Sequence, residues 1–578
     1  MYINDIINDF YKKIIGKKVL VLANCDVDSV CSCKILQWLF QCDSIVYTLI
    51  PVQGIQHMIT AFEEHASDVK LVILVNCGGT LDLLEVLQPE QDVVFYIIDS
   101  HRPSDVCNIY NNEQIYIVQK PGDEEVIPDF DDIFGNDDLD DEDGSEREGD
   151  SDDEGESRAA KRQRLNESAI LRRRERRLWE DKRNRLMFDY TQFTYYGRSS
   201  AIVLYELAWR LSKDNIDVLW WGIVGVTAQL VLGQTTTERY QEEIENITLH
   251  IGRLCPSVAD DDNASLHSAS TAHATAQYTT ATRISSEKDL ALALYRHWTV
   301  EQSLRHSMFT AVRLKLWTVR GEKRLQQLLA EMGLPLVESK QMFVAMDLSL
   351  RRQFHDMMNK MADSHQLDNV VFQSFTLHHG CRHKYQATDC VYAIVALFNP
   401  SDKEIKYNDC FRDALASLSR QHRTLLEEGI ERAKKLLTVI YRQTHNALDM
   451  KQIISAGPFL YMVIQEGSLD ARYYSEPTCL GMLAYIALRS YVASSRKRAA
   501  GLPLVVSAPL TATPEECIVL GVPPVAEAIP RNFFGKAFEQ AAEKTNSRID
   551  MDYFDSSVIR MKTEDRPKFF DALTALLS

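Results

Sequence analysis

Short apolar runs alternate with helical patterns over the first 120 residues of the chain. Each run is rich in β-branched side chains, which is typical of buried strands. Right-handed crossovers between such strands give an open, doubly wound parallel sheet covered by helices, so the fold class is α/β. The predicted strands are residues 19–24, 45–52, 71–77, 93–99 and 115–119, and the predicted helices are residues 29–41, 54–66 and 80–87.

The pattern after residue 120 predicts several further parts. With 578 residues the chain exceeds the range of one hydrophobic core. We expect a first α/β domain over 1–122 and 186–233, with two apolar helices in 199–233. A helical insertion follows over 234–310, and it contains a mobile loop rich in Ser, Thr and Ala at 257–286. A helical connector over 311–368 then leads to a second, smaller α/β domain over 369–578. In the second domain, helices are predicted at 386–398, 408–440, 478–493 and 532–544, and strands at 370–377, 458–467 and 502–510.

Charge is distributed unevenly along the chain. Residues 123–156 carry 19 acidic side chains and one arginine, so this segment alone has a net charge of −18, equal to that of the whole protein. Such a composition predicts disorder across 123–165, which ends in a basic stretch, followed by an exposed charged helix over 166–185 capped by Asn166 or Ser168. The remaining chain is only mildly acidic, and no large basic face for duplex binding is indicated.

Membrane insertion and secretion are not indicated by the sequence. The longest apolar run, residues 218–232, has 15 residues and includes Thr227 and Gln229, so it predicts a buried helix instead of a bilayer span. The twelve cysteines are scattered and form no C-x-x-C motif, which favours reduced, buried thiols in a reducing compartment. We therefore expect an intracellular protein with no membrane partner.

Polar side chains stand at the ends of three predicted strands. Asp26 and Asp28 follow the first strand, Asn76 follows the third, and residues 99–101 (Asp99, Ser100 and His101) follow the fourth. The carboxyl ends of parallel strands form the usual ligand crevice of an open sheet. Oxygen and imidazole groups that converge there could hold a Mg²⁺ or Mn²⁺ pair and activate water against a phosphodiester.

These residues resemble the signatures of the DHH phosphoesterase family, which includes the RecJ single-strand exonucleases. The D-x-D motif, the strand-end N-C-G and the D-S-H triplet match in order and position. Longer stretches resemble a degenerate branch of that family that acts in eukaryotic replication initiation: LANCDVDSVCSCKILQWLFQCD, IIDSHRP, GPFLYMVIQEG and NFFGKAFEQAAEKTNSR. The resemblance implies a DHH-type sheet domain and a second, DHHA1-like domain.

The departures from the family pattern argue against catalysis. The family has aspartate where Asn76 stands and histidine where Ser100 stands, and the second domain lacks the family's glycine-rich substrate loop. Two divalent ions need bridging carboxylates to offset their repulsion, so we expect no paired metal, no cofactor and no enzyme activity. Asp26, Asp28, Asp99 and His101 could still hold one cation weakly; the structural alternative is that Asp28 caps the helix from Ser29 and Asp99 accepts backbone N–H bonds. We interpret the six residues as a vestigial metal pocket.

Two other motifs are weaker. His378, His379, Cys381 and His383 lie close together, but adjacent histidines on a strand point to opposite faces and do not easily bind one ion. The basic residues between the acidic segment and residue 186 fit a nuclear import signal, although an exposed charged helix explains them equally well. The import candidates are Lys161, Arg162, Arg164, Arg172, Arg173 and Arg174.

The resemblance implies a replication factor located in the nucleus. Its implied role is a scaffold subunit that joins the hexameric MCM ring and the GINS complex in the replicative helicase, with the leading-strand DNA polymerase and other replisome proteins as further partners. Two alternatives stay open: a Mn²⁺-dependent single-strand exonuclease or phosphodiesterase, and a single-stranded DNA binding module. The mildly acidic body predicts only weak binding of single strands.

Overall fold

In a computed structural model, the described part of the chain forms three sheets of three or more strands and one two-stranded ribbon, surrounded by helices. The structure describes residues 1–65, 68–119, 122, 125–135, 158–255, 282–365, 367, 370–379, 383–399, 407–467, 470–495, 497–513, 515–525 and 531–578. None of the helices in these ranges is long and apolar enough to cross a membrane.

The central sheet is formed by the five strands that the apolar runs predict. All of its strands are parallel, and numbered along the chain they lie in the order 2-1-3-4-5. The strands are Val19–Asn24, Tyr47–Val52, Leu71–Val75, Val94–Ile98 and Ile115–Ile117, and the helices between them are Val27–Cys42, Ile55–His65, Leu83–Leu87 and Val106–Tyr110. The predicted α/β class is confirmed.

Two apolar helices cover one face of the central sheet together with Val27–Cys42. Ser200–Arg210 and Ile216–Val231 pack on Val27–Cys42 and on each other. Most side chains of Ile216–Val231 are buried, because its apolar residues surround the whole helix instead of forming one stripe. The chain begins with the turns Ile6–Tyr11 and Lys12–Ile14, and a two-stranded ribbon pairs His101–Arg102 with Tyr195–Tyr196.

The two ends of the predicted disordered segment are helical. Phe130–Phe134 forms a short helix, and a long helix, Arg158–Thr191, begins well before the predicted residue 166, so neither Asn166 nor Ser168 caps it. Aromatic contacts hold the short helix in place: Tyr110 lies 5.3 Å from Phe130 between ring centroids. The acidic residues 136–157 lie outside the described residues.

A three-stranded antiparallel sheet was not predicted as such. Thr282–Leu290 is a strand, although its first residues fall in the predicted mobile loop 257–286 and the rest in the predicted helical insertion. It pairs along its whole length with Val371–His379, which also pairs with His383–Gln386. The reason for the error is that its residues, TRISSEKDL, are too polar to show an apolar run. Residues 256–281 lie outside the described residues.

Helices fill the chain between these paired strands. They share a separate core that includes Leu304, Leu328, Phe354 and Met358. The elements are Tyr295–His297, Val300–Arg305, Met308–Leu314, Val319–Glu331, Leu336–Ser339, Phe343–Ala345 and Leu348–Ser364, and Thr237–Leu254 precedes them.

The C-terminal part of the chain is built on a mixed six-stranded sheet with strand order 1-2-3-4-6-5. Its strands are Ile454–Ser455, Leu460–Val463, Leu504–Pro509, Glu516–Val522, Ile549–Asp550 and Val558–Lys562, and its helical elements are Ala387–Leu397, Tyr407–Ser417, Arg420–His422, Arg423–Asp449, Ala471–Ser475, Pro477–Ser494, Lys497–Gly501, Phe534–Thr545 and Arg566–Leu577. The predicted single helix over 408–440 is two helices. We call described residues 1–255 the first lobe and described residues 387–578 the second lobe.

A glycine sets how closely the two apolar helices of the first lobe approach. A Cβ at Gly225 would lie 2.6 Å from Ala201 Cβ and 2.8 Å from Asp28 Oδ1. We expect Gly225→Ala to lower the free energy of unfolding by about 1–3 kcal/mol, because the helices must move apart. A Cβ at the matched helical control, Gly252, meets no atom within 4 Å, so Gly252→Ala should be neutral or stabilising by up to about 1 kcal/mol. Urea titrations measure both, and equal effects would contradict the packing argument.

Candidate functional site

Asp26, not Asp28, caps the helix that follows the first strand. The Asp26 carboxylate accepts a hydrogen bond from the Ser29 backbone N–H at 2.7 Å and from the Ser29 hydroxyl at 2.9 Å. Its backbone is extended, as an N-cap requires. The expectation that Asp28 caps this helix is therefore wrong, since the helix already begins at Val27 and Asp28 lies within its first turn.

Asp28 instead caps a second helix, from across the domain. Its carboxylate accepts the backbone N–H groups of Ser200 at 2.8 Å and Ala201 at 3.1 Å, and the Ser199 hydroxyl also donates to it. These groups form the N-terminus of Ser200–Arg210, where no side chain of the helix itself supplies a cap. Asp28 is 6% exposed, so its charge is balanced by oriented amides at the positive end of the helix.

Asn76 links the carboxylates to the neighbouring strand end. Its side-chain amide donates to Asp28 at 3.1 Å and to Asp26 at 3.3 Å. Its side-chain oxygen accepts the Ser100 backbone N–H at 3.0 Å and the Ser200 hydroxyl at 2.6 Å. An aspartate could accept the last two bonds but could not donate the first two, so asparagine suits a site without a bridging cation.

Asp99 and His101 form a buried ion pair at the end of the fourth strand. His101 Nδ1 donates to Asp99 Oδ1 at 2.7 Å, and the Asp99 carboxylate also accepts the N–H groups of His101 at 2.8 Å and Gly79 at 2.9 Å. The structure thus has the predicted backbone bonds to Asp99. Ser100 is also buried, and its backbone N–H binds Asn76.

Arg102 does not pair with the strand-end carboxylates. It donates to the carbonyls of Asp99 and His101 and pairs with Glu125, Nε to Oε2, at 3.3 Å. Both side chains of this pair are at most 3% exposed. The Glu125 carboxylate also accepts bonds from the Ser104 N–H and the Tyr190 hydroxyl. Sequence reasoning missed Glu125 because it belongs to the acidic run.

The electrostatics of the site raise two pKa values. The higher pKa favours the neutral form of Asp26 but the charged form of His101. Burial, followed by the adjacent Asp28 carboxylate, raises the pKa of Asp26 to about 6. Burial alone would lower the pKa of His101, but Asp99 outweighs it and raises that pKa to about 9, while Asp555 contributes in the same direction. At neutral pH His101 is therefore a cation that balances Asp99, whose own pKa is lowered by this partner despite its burial.

The donor set does not fit a pair of divalent ions. Most carboxylate oxygens at the strand ends already accept hydrogen bonds from amides, hydroxyls or imidazole, and Asn76 adds no charge. In the described part of the chain, Asp82, Asp105 and Cys107 bring potential ligand atoms within 4.8 Å of one another. These three residues do not belong to the strand-end site. The six predicted residues are thus brought together as a hydrogen-bonded network.

A cavity of about 2000 Å³ lies between the lobes and includes the strand-end residues in its wall. Nine acidic side chains and five arginines or lysines line it, so even with protonated His101 the described lining is net negative. Glu476 contributes less than a full negative charge to this lining at neutral pH, because burial raises the pKa of its carboxyl to about 7. Such a wall disfavours the phosphate backbone of a nucleic acid.

The weaker motifs are only partly described. His378 bonds the Ser285 hydroxyl at 2.8 Å within the three-stranded sheet, and burial lowers its pKa to about 4; Cys381 lies outside the described residues. Of the import candidates, Arg174 is exposed on the helix Arg158–Thr191. The side chains of Lys161, Arg162, Arg164, Arg172 and Arg173 lie outside the described residues.

Comparisons with known proteins identify the family. The CDC45 family profile matches residues 19–157 and 129–576. A Homo sapiens protein, "Cell division control protein 45 homolog", is 42% identical over 589 residues and covers 100% of both chains. The chain belongs to the CDC45 family. A more distant relative, the Saccharomyces cerevisiae "Cell division control protein 45", is 23% identical and covers 96% of this chain and 95% of its own.

The solved structure of one relative agrees with this assignment at the level of fold. The crystal structure of CDC45 from Entamoeba histolytica matches with a TM-score of 0.70 at 20% identity, covering 100% of both chains. RecJ from Thermus thermophilus in complex with Mn²⁺ matches with a TM-score of 0.40 at 12% identity, covering 98% of this chain and 53% of that one. The α/β architecture is therefore shared with the CDC45 family.

Replacing Asp26 by asparagine tests the electrostatics of this network. Asn keeps a cap acceptor for Ser29 but removes the charge. Because the pKa of Asp26 is raised to about 6 in the folded protein, ionisation disfavours folding as the pH rises from about 4 to 6. We expect Asp26→Asn to be more stable than the wild type by about 1–2 kcal/mol at pH 7.5, with the difference shrinking towards pH 4.

Urea unfolding at pH 4, 6 and 7.5 measures this dependence. The matched control is Asp571→Asn, which removes an exposed carboxylate from the second lobe. Its difference from the wild type should stay small and constant over the same range. A difference for Asp26→Asn that does not vary with pH would rule out the raised pKa as its cause.

Proposed function

We propose that this protein is a non-catalytic scaffold subunit of the replicative helicase that joins the MCM hexamer to the GINS complex at origins and forks. As a CDC45 family member it is a DNA replication factor, and its sequence resemblance to a degenerate DHH branch supports the finer role. The proposal includes nuclear location, with the basic residues 161–174 as the import signal, and contact with the leading-strand polymerase.

The observation that carries the proposal is a set of exposed apolar side chains in the helical connector. Six large apolar residues within 30 positions of chain are 43–77% exposed, with Val337 at 73% and Val344 at 64%. Apolar side chains exposed at this density in one stretch of chain offer a surface of the kind that protein interfaces bury. We call these residues the exposed apolar set: Val319, Leu336, Val337, Met342, Val344 and Leu348.

The strand-end network supports the non-catalytic part of the proposal. A two-metal phosphoesterase needs open carboxylate oxygens and a bridging anion. Here Asp28 caps a helix, Asp99 pairs with His101, and Asn76 donates hydrogen bonds to Asp26 and Asp28. We therefore propose that the six strand-end residues are a vestigial metal pocket that now has a structural role.

Co-purification from nuclear extract tests the scaffold role. Tagged wild-type protein should retain both MCM and GINS subunits. The double variant Val337→Asp with Val344→Asp should lose most of at least one of them, because charges placed in an apolar interface must be desolvated. Leu249→Asp is the matched control, since Leu249 is 74% exposed on Thr237–Leu254, outside the set.

The outcomes of this experiment separate the claims. Retention of both partners by the double variant, with unfolding identical to the wild type, would remove the exposed apolar set from the interface. Failure of the wild-type protein to retain either partner would overturn the scaffold role itself. An equal loss in Leu249→Asp would mean that the effect is general and not specific to the set.

A nuclease assay tests the alternative activity. We expect purified protein to leave a 5′-labelled single strand intact in the presence of Mn²⁺, because the donor set does not fit two ions. Manganese-dependent cleavage that disappears in Asp99→Ala and persists in Asp82→Ala would overturn the non-catalytic assignment. The second variant controls for the half-buried acidic pair Asp82 and Asp105.

A further inference from the structure

The strand Thr282–Leu290 lies at one end of the three-stranded antiparallel sheet and is paired on one side only. With nine residues it is the longest edge strand in the described part of the chain. An edge strand presents a row of backbone N–H and C=O groups with which a further strand can pair, and proteins usually shorten or cover such edges. A long edge that is left unpaired is therefore a candidate place for a partner strand to bind.

The register of the sheet shows which backbone groups of this strand point away from its neighbour. Just beyond the strand, the Ala291 N–H donates to the Val370 carbonyl at 2.6 Å, so these two residues are a hydrogen-bonded pair. Such pairs alternate in an antiparallel ladder. The odd-numbered residues therefore direct their backbone groups at Val371–His379, and the even-numbered residues direct theirs outward. In agreement, the outward N–H of Leu290 donates to the Asp289 carboxylate.

The outward backbone groups in the middle of the strand have no hydrogen-bond partner among the described residues. They are the N–H and C=O groups of Ile284, Ser286 and Lys288, which we call the free edge. Its residues are two positions apart, or about 7 Å along the strand, which is the spacing at which an added antiparallel strand offers donors and acceptors. The free edge thus has the geometry for β-strand addition, in which an extended segment joins an existing sheet.

The exposed side chains beside the free edge are mainly cationic. Arg283 and Lys288 of the strand are exposed, and the exposed Lys384 lies in the same cross-strand row as Arg283, with His378 between them. Glu287 is the one exposed acidic side chain of the strand. This local excess of positive charge contrasts with the net charge of −18 of the whole chain. Since complementary charges select partners, the free edge favours an acidic segment.

The pKa of His378 responds to the positive charge of this row. Burial is the largest cause of its fall to about 4, the charges of Lys384 and Arg283 lower it further, and Glu287 opposes them. A contact with the Ser285 hydroxyl at 2.8 Å holds the His378 ring in the row. His378 is therefore neutral near pH 7, and Arg283 and Lys384 carry the charge of the row.

We propose that the free edge binds an acidic, extended segment of a partner protein as a fourth, antiparallel strand of this sheet. The segment places one carboxylate opposite Lys288 and a second, five positions later, opposite Arg283. The position before the second carboxylate faces Ile284, whose side chain is 3% exposed, and takes a β-branched apolar residue. This inference rests on the sheet alone and is independent of binding to MCM or GINS.

Amide hydrogen exchange of the full-length chain tests the free edge. The probe is the peptide Thr-Glu-Thr-Thr-Thr-Val-Glu-Thr, whose glutamates are five positions apart. In the protein alone, the amides of Ile284, Ser286 and Lys288 should exchange about tenfold faster than those of Ser285 and Glu287, which bond the neighbouring strand. Saturating peptide should slow the three outward amides about tenfold and leave the other two unchanged.

Several results of the exchange experiment would overturn the proposal. Outward amides that are already slow in the protein alone would mean that the chain covers its own edge. Slow exchange that appears only at high protein concentration would assign the edge to a second copy. Equal protection by a single-stranded oligonucleotide would assign the cationic side chains to nucleic acid, and no protection by the peptide would remove the site.

Charge reversal tests the recognition of an acidic segment. Binding of the fluorescently labelled peptide should weaken about fivefold in the double variant Arg283→Glu with Lys288→Glu, and similarly when both glutamates of the peptide become glutamine. The matched control, Lys544→Glu with Lys568→Glu, makes the same change of net charge at exposed positions of the second lobe and should bind as the wild type does. Equal weakening in the control would contradict recognition at the edge.

Proline at position 286 tests the backbone part of the site. The Ser286 N–H points outward, so Ser286→Pro keeps the existing ladder while it removes a donor and obstructs the added strand. Peptide binding should fall about tenfold, whereas Ser286→Ala should bind within about twofold of the wild type. A folded proline variant with unchanged binding would overturn strand addition. The exchange measurement on the unaltered chain decides the proposal even if this variant does not fold.

Discussion

The structure of the first lobe depends on one long-range interaction, the capping of Ser200–Arg210 by Asp28. The carboxylate and the helix end lie 172 residues apart in the chain, yet each satisfies what the other lacks. Buried without the amides, Asp28 would be an unpaired charge; buried without Asp28, the helix would begin with unsatisfied N–H groups. Gly225 permits this approach, because any side chain there would displace the carboxylate or Ala201.

The same logic extends along the strand ends. Asp99 is balanced by protonated His101, and Asn76 connects both halves through two donated and two accepted hydrogen bonds. A metal pair would balance the carboxylates with external charge, whereas this network does so with groups of the chain. Asp26 is the least compensated member, which is why burial and Asp28 raise its pKa to about 6.

Sequence reasoning predicted the parts of the fold that local pattern determines. The five central strands and the two apolar helices appear where their apolar runs lie, and the strand-end residues do come together. It failed where partners are distant or the pattern is polar. The strand Thr282–Leu290 has no apolar run, and Glu125, which pairs with Arg102 in the interior, belongs to an acidic stretch of sequence. Asp26 caps the helix that Asp28 was expected to cap, and Asp28 caps a different helix. The sequence D-x-D alone does not specify which helix N-terminus each carboxylate contacts.

Structural roles of this kind give a physical reason for polar residues at the strand ends that is independent of catalysis. An unpaired buried charge is costly, so removing either partner of Asp99 and His101 would destabilise the lobe more than the pair itself stabilises it. The network also reaches the second lobe, since Tyr196 pairs with the strand His101–Arg102 and its hydroxyl donates to Asp555. The buried strand-end groups are thus committed to contacts within the chain, and affinity for partners must come from side chains elsewhere, such as those exposed on the helical connector.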